Sequence, residues 1–156
     1  MATEPDPAVW GRLVHVGEKA VKTLRLSRDD IQAFARISGD DNPLHHVVQD
    51  AQRARFGEII ASGQHTAAML MGLLASHFSR RDDGVLREML CLNVNFAFKG
   101  PVFADQDLRL SWKVASVEWN SKLIGVVAQL DGAMAVPHTK SAVVARGTIL
   151  VKNVEA

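Results

Sequence analysis

The chain has 156 residues, 47% of them hydrophobic and 22% charged; these are the proportions of a soluble globular protein, at a length that buries one core without disulfides or metals. Lys and Arg number 18 against 17 Asp and Glu, a formal charge of +1, so there is no large positive field to grip a phosphate backbone and nucleic acid is not an expected partner. The longest apolar run, Ala67 to Ala75, is far short of the roughly 20 residues that cross a bilayer, and no membrane association is expected.

The opening MATEPDPAVW carries acidic residues and prolines where a secretory signal would place basic residues and an apolar run, so the expected location is cytoplasmic. Residues 1–9 are expected to form a flexible arm, and 10–156 a single domain. Cys91, the one cysteine, lies between Leu90 and Leu92 and reads as a small buried hydrophobe. Leu13 to Val16 and Val21 to Leu26 pattern as two short strands around Gly17. Ser27 with Asp30 forms a capping box, after which Ile31, Phe34 and Ala35 recur at helical spacing up to Ser38-Gly39.

The next segment, SGDDNPLHH, is dense in turn formers, and Pro43 biases Asn42 away from helix. A short polar helix is expected after His46, running to Arg55, then a turn at Gly57. Gln64 to Phe78 (QHTAAMLMGLLASHF) is apolar or small on nearly every face, which predicts a buried helix with Ala68, Gly72, Ala75 and Ser76 as a stripe for close packing. After SRRDDG the pattern turns to period two. Leu92, Val94, Phe96 and Phe98 alternate with polar or small residues, as do Leu108, Leu110, Trp112 and Val114. Two further strands, Leu123 to Leu130 and Ser141 to Val151, are separated by the Gly/Pro-bearing stretch DGAMAVPH. The result is an α+β domain in which a long antiparallel sheet wraps one buried central helix.

Asp40 and His45 lie on the Pro-stiffened loop, where side chains escape helix and strand geometry and can converge on one small molecule. Held around a water, one group takes a proton while the other supplies the second. On residue types alone a plain turn with a surface histidine remains open. A metal at His45 and His46 is not expected, because adjacent histidines diverge and no second ligand pair with zinc spacing follows. At the helix entrance, Ser62 is a cap, and Gly63 allows a ligand to approach free amides that favour negative charge.

The run Ile37-Ser38-Gly39-Asp40-Asp41-Asn42-Pro43-Leu44-His45, closing at Ala51, resembles the signature of the MaoC-like dehydratases and (R)-specific enoyl-CoA hydratases. Phe56-Gly57, Ser62-Gly63, the apolar helix and FAFKGPVFADQDL resemble the rest of that family, over about residues 10 to 152. The resemblance implies a hotdog fold, a homodimer, and reversible hydration of a trans-2-enoyl thioester to an (R)-3-hydroxyacyl thioester. It implies Asp40 and His45 as the catalytic pair, and Gly63, Ser62 and Asn42 as oxyanion or substrate contacts. No cofactor is implied beyond coenzyme A as part of the substrate, with an acyl-carrier-protein thioester as the alternative partner. Asp41 falls at the family's variable position. One departure is Ser62, where many relatives carry a histidine. The same fold also serves thioesterases, which generally lack the D-x-N-P-x-H loop, and silent acyl-binding domains, which would lose Asp40 or His45. His65, His77, Met69 and Met71 read as packing residues. Asn93 and Asn95 either line an acyl tunnel or face solvent, and Arg53, Arg55, Arg80 and Arg81 carry no assigned role.

Overall fold

The computed structural model describes residues 4–53 and 56–154. In chain order they form α1 (Pro7–Trp10), β1 (Lys19–Leu24), α2 (Arg28–Ser38), a 3₁₀ turn (Pro43–His45), α3 (Val48–Arg53), α4 (Gly63–Phe78), β2 (Arg87–Phe98), β3 (Leu108–Asn120), β4 (Gly125–Ala135) and β5 (Ser141–Asn153). The strands make one antiparallel sheet in the order β1-β3-β4-β5-β2. Helix α4 touches all five strands, so the expected α+β architecture, a sheet curled around one central helix, is borne out.

Period-two patterning translates directly into burial on β3, where Leu108, Leu110, Trp112 and Val114 are fully buried and Arg109 and Lys113 are exposed. Leu70, Leu74 and Phe78 of α4 enter the same core. Trp112 fixes the distance between the layers: its indole Nε1 donates to the Leu70 carbonyl at 2.8 Å. The ring fits because two strand positions beneath it are glycines. A Cβ on Gly132 would lie 2.7 Å from the ring, and one on Gly147 3.4 Å. Sequence reading put Gly132 in a loop, whereas β4 runs through it to Ala135; the glycine marks close approach of an aromatic ring, not a turn. The turn comes earlier, and Leu123 and Ile124 belong to it, Ile124 with φ 51°.

Three other expectations change. Of the opening hairpin only β1 forms, pairing with β3 instead of Leu13 to Val16. Those residues connect α1 to β1, held by the buried guanidinium of Arg87, which donates to the carbonyls of Arg12, Leu13 and Arg80 and to both carboxylate oxygens of Asp83. Cys91 is exposed, as are Leu90 and Leu92, because β2 is an edge strand with no neighbour on one side. Helix α4 is not buried all round: Gln64, Gly72, Ala75 and Ser76 are exposed, since the sheet covers only the face bearing Leu70, Leu74 and Phe78.

The Trp112 contact generates a stability prediction. Gly132→Ala is expected to lower stability by about 1–3 kcal/mol through overpacking, because the ring cannot retreat without losing Leu70. Thermal unfolding followed by circular dichroism, with Trp fluorescence as a second probe, checks this; an unchanged melting temperature would show that the ring is free to move.

Candidate active site

Helix α2 ends in a way that aims the loop. The Ser27–Asp30 capping box starts it, and Gly39, in the left-handed region at φ 71°, ends it. The Asp40 amide then donates back to the Ala35 carbonyl at 2.9 Å, which fixes the direction in which Asp40 leaves the helix. Its Oδ1 accepts from the Asn42 amide at 3.0 Å, and Asn42 Oδ1 accepts from the Leu44 amide at 3.2 Å. Asn42 thereby caps the 3₁₀ turn that Pro43 opens. His46 Nε2 lies 2.5 Å from the Asp40 carbonyl, anchoring the main chain from the far side.

His45 is buried, and its Nδ1 sits 2.7 Å from the Ile60 carbonyl. A carbonyl only accepts, so the network assigns the proton of neutral His45 to Nδ1 and leaves Nε2 as the nitrogen available for chemistry. That Nε2 lies 3.5 Å from Asp40 Oδ2, longer than a direct charge-assisted hydrogen bond. A water about 2.8 Å from each atom can span such a gap. The residues Asp40 and His45, predicted as a pair, are thus brought together. His45 and His46 turn to different acceptors, as adjacent histidines should, and Asp41 is exposed.

The second wall is the start of α4. Ile60 donates to the Leu44 carbonyl at 3.2 Å while its own carbonyl receives His45, and Ala61 donates to Val102 at 2.8 Å. The chain is therefore stapled to the loop on one side and the sheet end on the other. Ser62 is buried and its hydroxyl accepts from the His65 amide, the expected N-cap. Satisfying His65 leaves the first helical amides, Gly63 and Gln64, without intrahelical acceptors. Gly63 lies against an aromatic lid, since a Cβ there would stand 3.1 Å from the Phe98 ring. Asn42, His45, Gly63, Thr66, Phe98 and Val143 are among the residues around a cavity of about 450 Å³, which brings the predicted residues Asn42, His45 and Gly63 to one space. Asp40 and Ser62 are not among those lining residues; Asp40 stands behind His45, 3.5 Å from its Nε2.

Two contributors were not foreseen. Gln64 Nε2 donates to Asp40 Oδ2 at 2.9 Å; its only sequence signal is a polar residue on the first turn of an otherwise apolar helix. Phe98 was read as one more residue of an alternating strand, and pairing across the sheet end cannot be seen from periodicity.

The remaining candidates sort by their contacts. His77 and Arg80 both bind buried Glu18, at 3.0 and 2.8 Å. Burial raises that carboxyl, yet hydrogen bonds from Arg80, His77 and the His15 amide outweigh it and hold it below its ordinary value. His65 is buried and stacks on Phe34 with centroids 4.3 Å apart, and Met69 packs against the core. Asn93 and Asn95 are exposed and bond to one another. Arg55 and the Arg53 side chain lie outside the described residues. A larger cavity, about 840 Å³, lies at the other end of the domain among Trp10, Arg12, Leu86 and Trp119. Among the described residues Arg12 is its one charged lining residue, so they place no acid/base pair there. Among the described residues no group of three or more His, Cys, Asp or Glu is placed to hold a metal ion, and no helix is long and apolar enough to cross a membrane.

The model of the MaoC-like domain family matches residues 14–132. The mitochondrial 3-hydroxyacyl-[acyl-carrier-protein] dehydratase of Arabidopsis thaliana is 28% identical over 113 residues, 72% of this chain and 63% of that protein's length. The (R)-specific enoyl-CoA hydratase of Aeromonas caviae is 28% identical over 126 residues, covering 79% of this chain and 90% of the relative. Among experimental structures, the A. caviae (R)-hydratase involved in PHA biosynthesis superposes with a TM-score of 0.76 at 25% identity, over 90% of this chain and 98% of that one. The curled sheet around α4 is therefore the hotdog fold of hydratases and dehydratases, and this chain belongs to the MaoC-like domain family.

Proposed function

We propose that this protein catalyses reversible hydration of a trans-2-enoyl thioester to an (R)-3-hydroxyacyl thioester, with Asp40 and His45 sharing the reacting water. The observation that carries this reading is the 3.5 Å gap between His45 Nε2 and Asp40 Oδ2 beside a cavity whose other wall is a helix N-terminus. In the hydration direction the water oxygen bonds to C3 of the enoyl group and gives one proton to a member of the pair. The other member delivers a proton to C2, so the double bond is consumed and no redox partner is required. As C2 gains electron density the thioester oxygen becomes enolate-like, and the Gly63 amide, with the helix dipole behind it, stabilises that charge most in the transition state. Coenzyme A is the carrier we favour. An acyl-carrier-protein thioester is the alternative, supported by the Arabidopsis relative, a 3-hydroxyacyl-[acyl-carrier-protein] dehydratase. Short and medium enoyl-CoA thioesters, followed by loss of the conjugated thioester absorbance, test the reading, and no turnover with either carrier would overturn it.

The working unit in this proposal is a homodimer. Edge strand β1 is short and carries Lys19 and Lys22, whereas β2 offers a long free edge with Leu90, Leu92 and Phe98 exposed. Long apolar edges require cover. The exposed small residues Gly72, Ala75 and Ser76 of α4 would let a second layer approach closely. Phe98 belongs both to this edge and to the cavity, so pairing through β2 would place a second copy next to the site. Leu90→Glu with Leu92→Glu is expected to yield monomers with at least tenfold lower activity, read by analytical ultracentrifugation and turnover. A wild-type monomer that is fully active would remove the dimer from the mechanism.

Asp40→Asn and His45→Gln are each expected to lower turnover about a hundredfold or more, within the range that positioned acid/base groups contribute. Asp41→Asn, exposed, should be near neutral. Rates with folding verified by circular dichroism decide this, and an active Asp40→Asn protein would refute the pair.

Gly63→Val and Ser62→Ala should separate activity from stability. The valine must displace the Phe98 ring and shift the amide donor, lowering turnover, while Ser62→Ala mainly removes the cap, about 1 kcal/mol. Melting temperature and turnover measured together give the answer: a normally folded Gly63→Val protein with wild-type turnover would exclude an oxyanion role here.

A further inference from the structure

Gln64 stands at the second position of α4, next to Gly63, and is exposed. An exposed glutamine on a helix is ordinarily a solvated side chain, but this one spends its amide on the loop 24 residues earlier, at 2.9 Å from Asp40 Oδ2. The recipient is the same oxygen that faces His45 Nε2. The other oxygen of Asp40 is already held by the Asn42 amide, and its carbonyl by His46. With Asn42 alone, one oxygen is held and the plane can swing only within the tolerance of that single hydrogen bond. With both donors in place, the plane is fixed. Carboxylate oxygens accept, so the contact requires the glutamine nitrogen, not its oxygen, to face Asp40.

We propose that Gln64 is a positioning residue: its side-chain amide locks the orientation of the Asp40 carboxylate and ties the acid/base loop to the helix turn that presents the Gly63 amide. This rests on the hydration reading above and adds to it a mechanical element. The pair and the oxyanion donor come from separate segments, and the reaction needs both at one substrate, C2 and C3 at the pair and the thioester oxygen at Gly63. Small errors in such a distance are expensive in rate. The Gln64 side chain is a direct strut between the two, and it departs from the same helix turn as the amide relative to which it holds Asp40. Groups with charge near Asp40 are His45 and His46 from the loop and the adjacent, exposed Asp41; His65 on α4 is buried and near His45. None of these replaces a neutral donor on Oδ2.

Three measurements test the proposal. Gln64→Leu should lower kcat about tenfold, as expected for loss of a hydrogen bond to a charged group, with KM changed less than twofold and melting temperature unchanged. Gln64→Glu should recover rate at acidic pH, where the introduced carboxyl still carries a proton to donate. It should lose that rate as pH rises and two carboxylates come to face each other. A residue that only fills surface would show neither the split between kcat and KM nor this pH-dependent rescue. The third measurement does not depend on turnover. The side-chain amide resonances of Gln64 in ¹⁵N-edited NMR should be displaced from random-coil positions in the wild type and collapse toward them in Asp40→Ala. If the wild type turns over enoyl thioesters but Gln64→Leu keeps its full kcat, the positioning role is wrong and the hydratase reading survives. If the wild type turns over nothing while the NMR coupling is present, the hydrogen bond stands and the hydratase reading falls. If the coupling is absent, the strut does not exist.

Discussion

The position of α4 relative to the sheet depends on Trp112. A helix laid on a curved sheet by aliphatic contacts alone can slide, because hydrophobic burial has no direction. The indole adds direction: its edge donates to one main-chain carbonyl, Leu70, while its face lies over Gly132 and Gly147. The hydrogen bond sets where along the helix the sheet attaches, and the two glycines set how deep the ring sinks. Because Leu70 is two turns from Gly63, fixing one fixes the other within the rigidity of a short helix. The place of the first-turn amides is therefore inherited from a contact in the middle of the core.

The two ends of α4 are finished in opposite ways. At the C-terminal end, polar groups are spent on structure. Arg87 satisfies three carbonyls, Asp83 is held well below the usual carboxylate range by hydrogen bonding to Arg87, and Arg80 and His77 both hydrogen-bond Glu18. At the N-terminal end the cap takes only the His65 amide and the earlier amides are left over. An arrangement that leaves helical donors unused on the face of a cavity is what anion stabilisation requires. The larger cavity, near the structurally saturated end, has volume but, among the described residues, no acid and base beside such donors.

How much of this could be read from the residues follows from the range of each interaction. The α2 cap, its Gly39 stop, the Asn42–Pro43 turn and the Ser62 cap are local, and each is where spacing put it. Buried β3 positions were legible because alternation is a property of one strand. Gly132 was misread because its reason is Trp112 on a neighbouring strand, and Cys91 was misread because edge position is a property of the whole sheet. The Asp40–His45 pair was suggested by the loop, but the atom that orients His45 is the Ile60 carbonyl, and main-chain carbonyls leave no mark in a sequence. Gln64 was visible as a polar intrusion at a helix start, yet its partner is set by the angle between α2 and α4.

His65 shows how the site limits its own charge. A helix N-terminus already favours negative charge, and an imidazolium at His65 would compete with the reacting groups for protons. Burial pushes the His65 imidazole down, Asp30 opposes this and His45 adds to it, with a net shift below the ordinary histidine value. Burial therefore favours the uncharged ring, which is stacked parallel on Phe34 with an interplanar angle of 1°. That stack lets an imidazole serve as a flat packing element between α2 and α4. The cost is a buried Nδ1 without a partner among the described residues, tolerable for a neutral ring and far less so for a charged one. Acid that protonates His65 would thus place a charge with an unpartnered Nδ1 between α2, whose end leads into Asp40, and α4, which carries Gly63, loosening the same geometry that the Ile60 carbonyl and the Gln64 amide hold together.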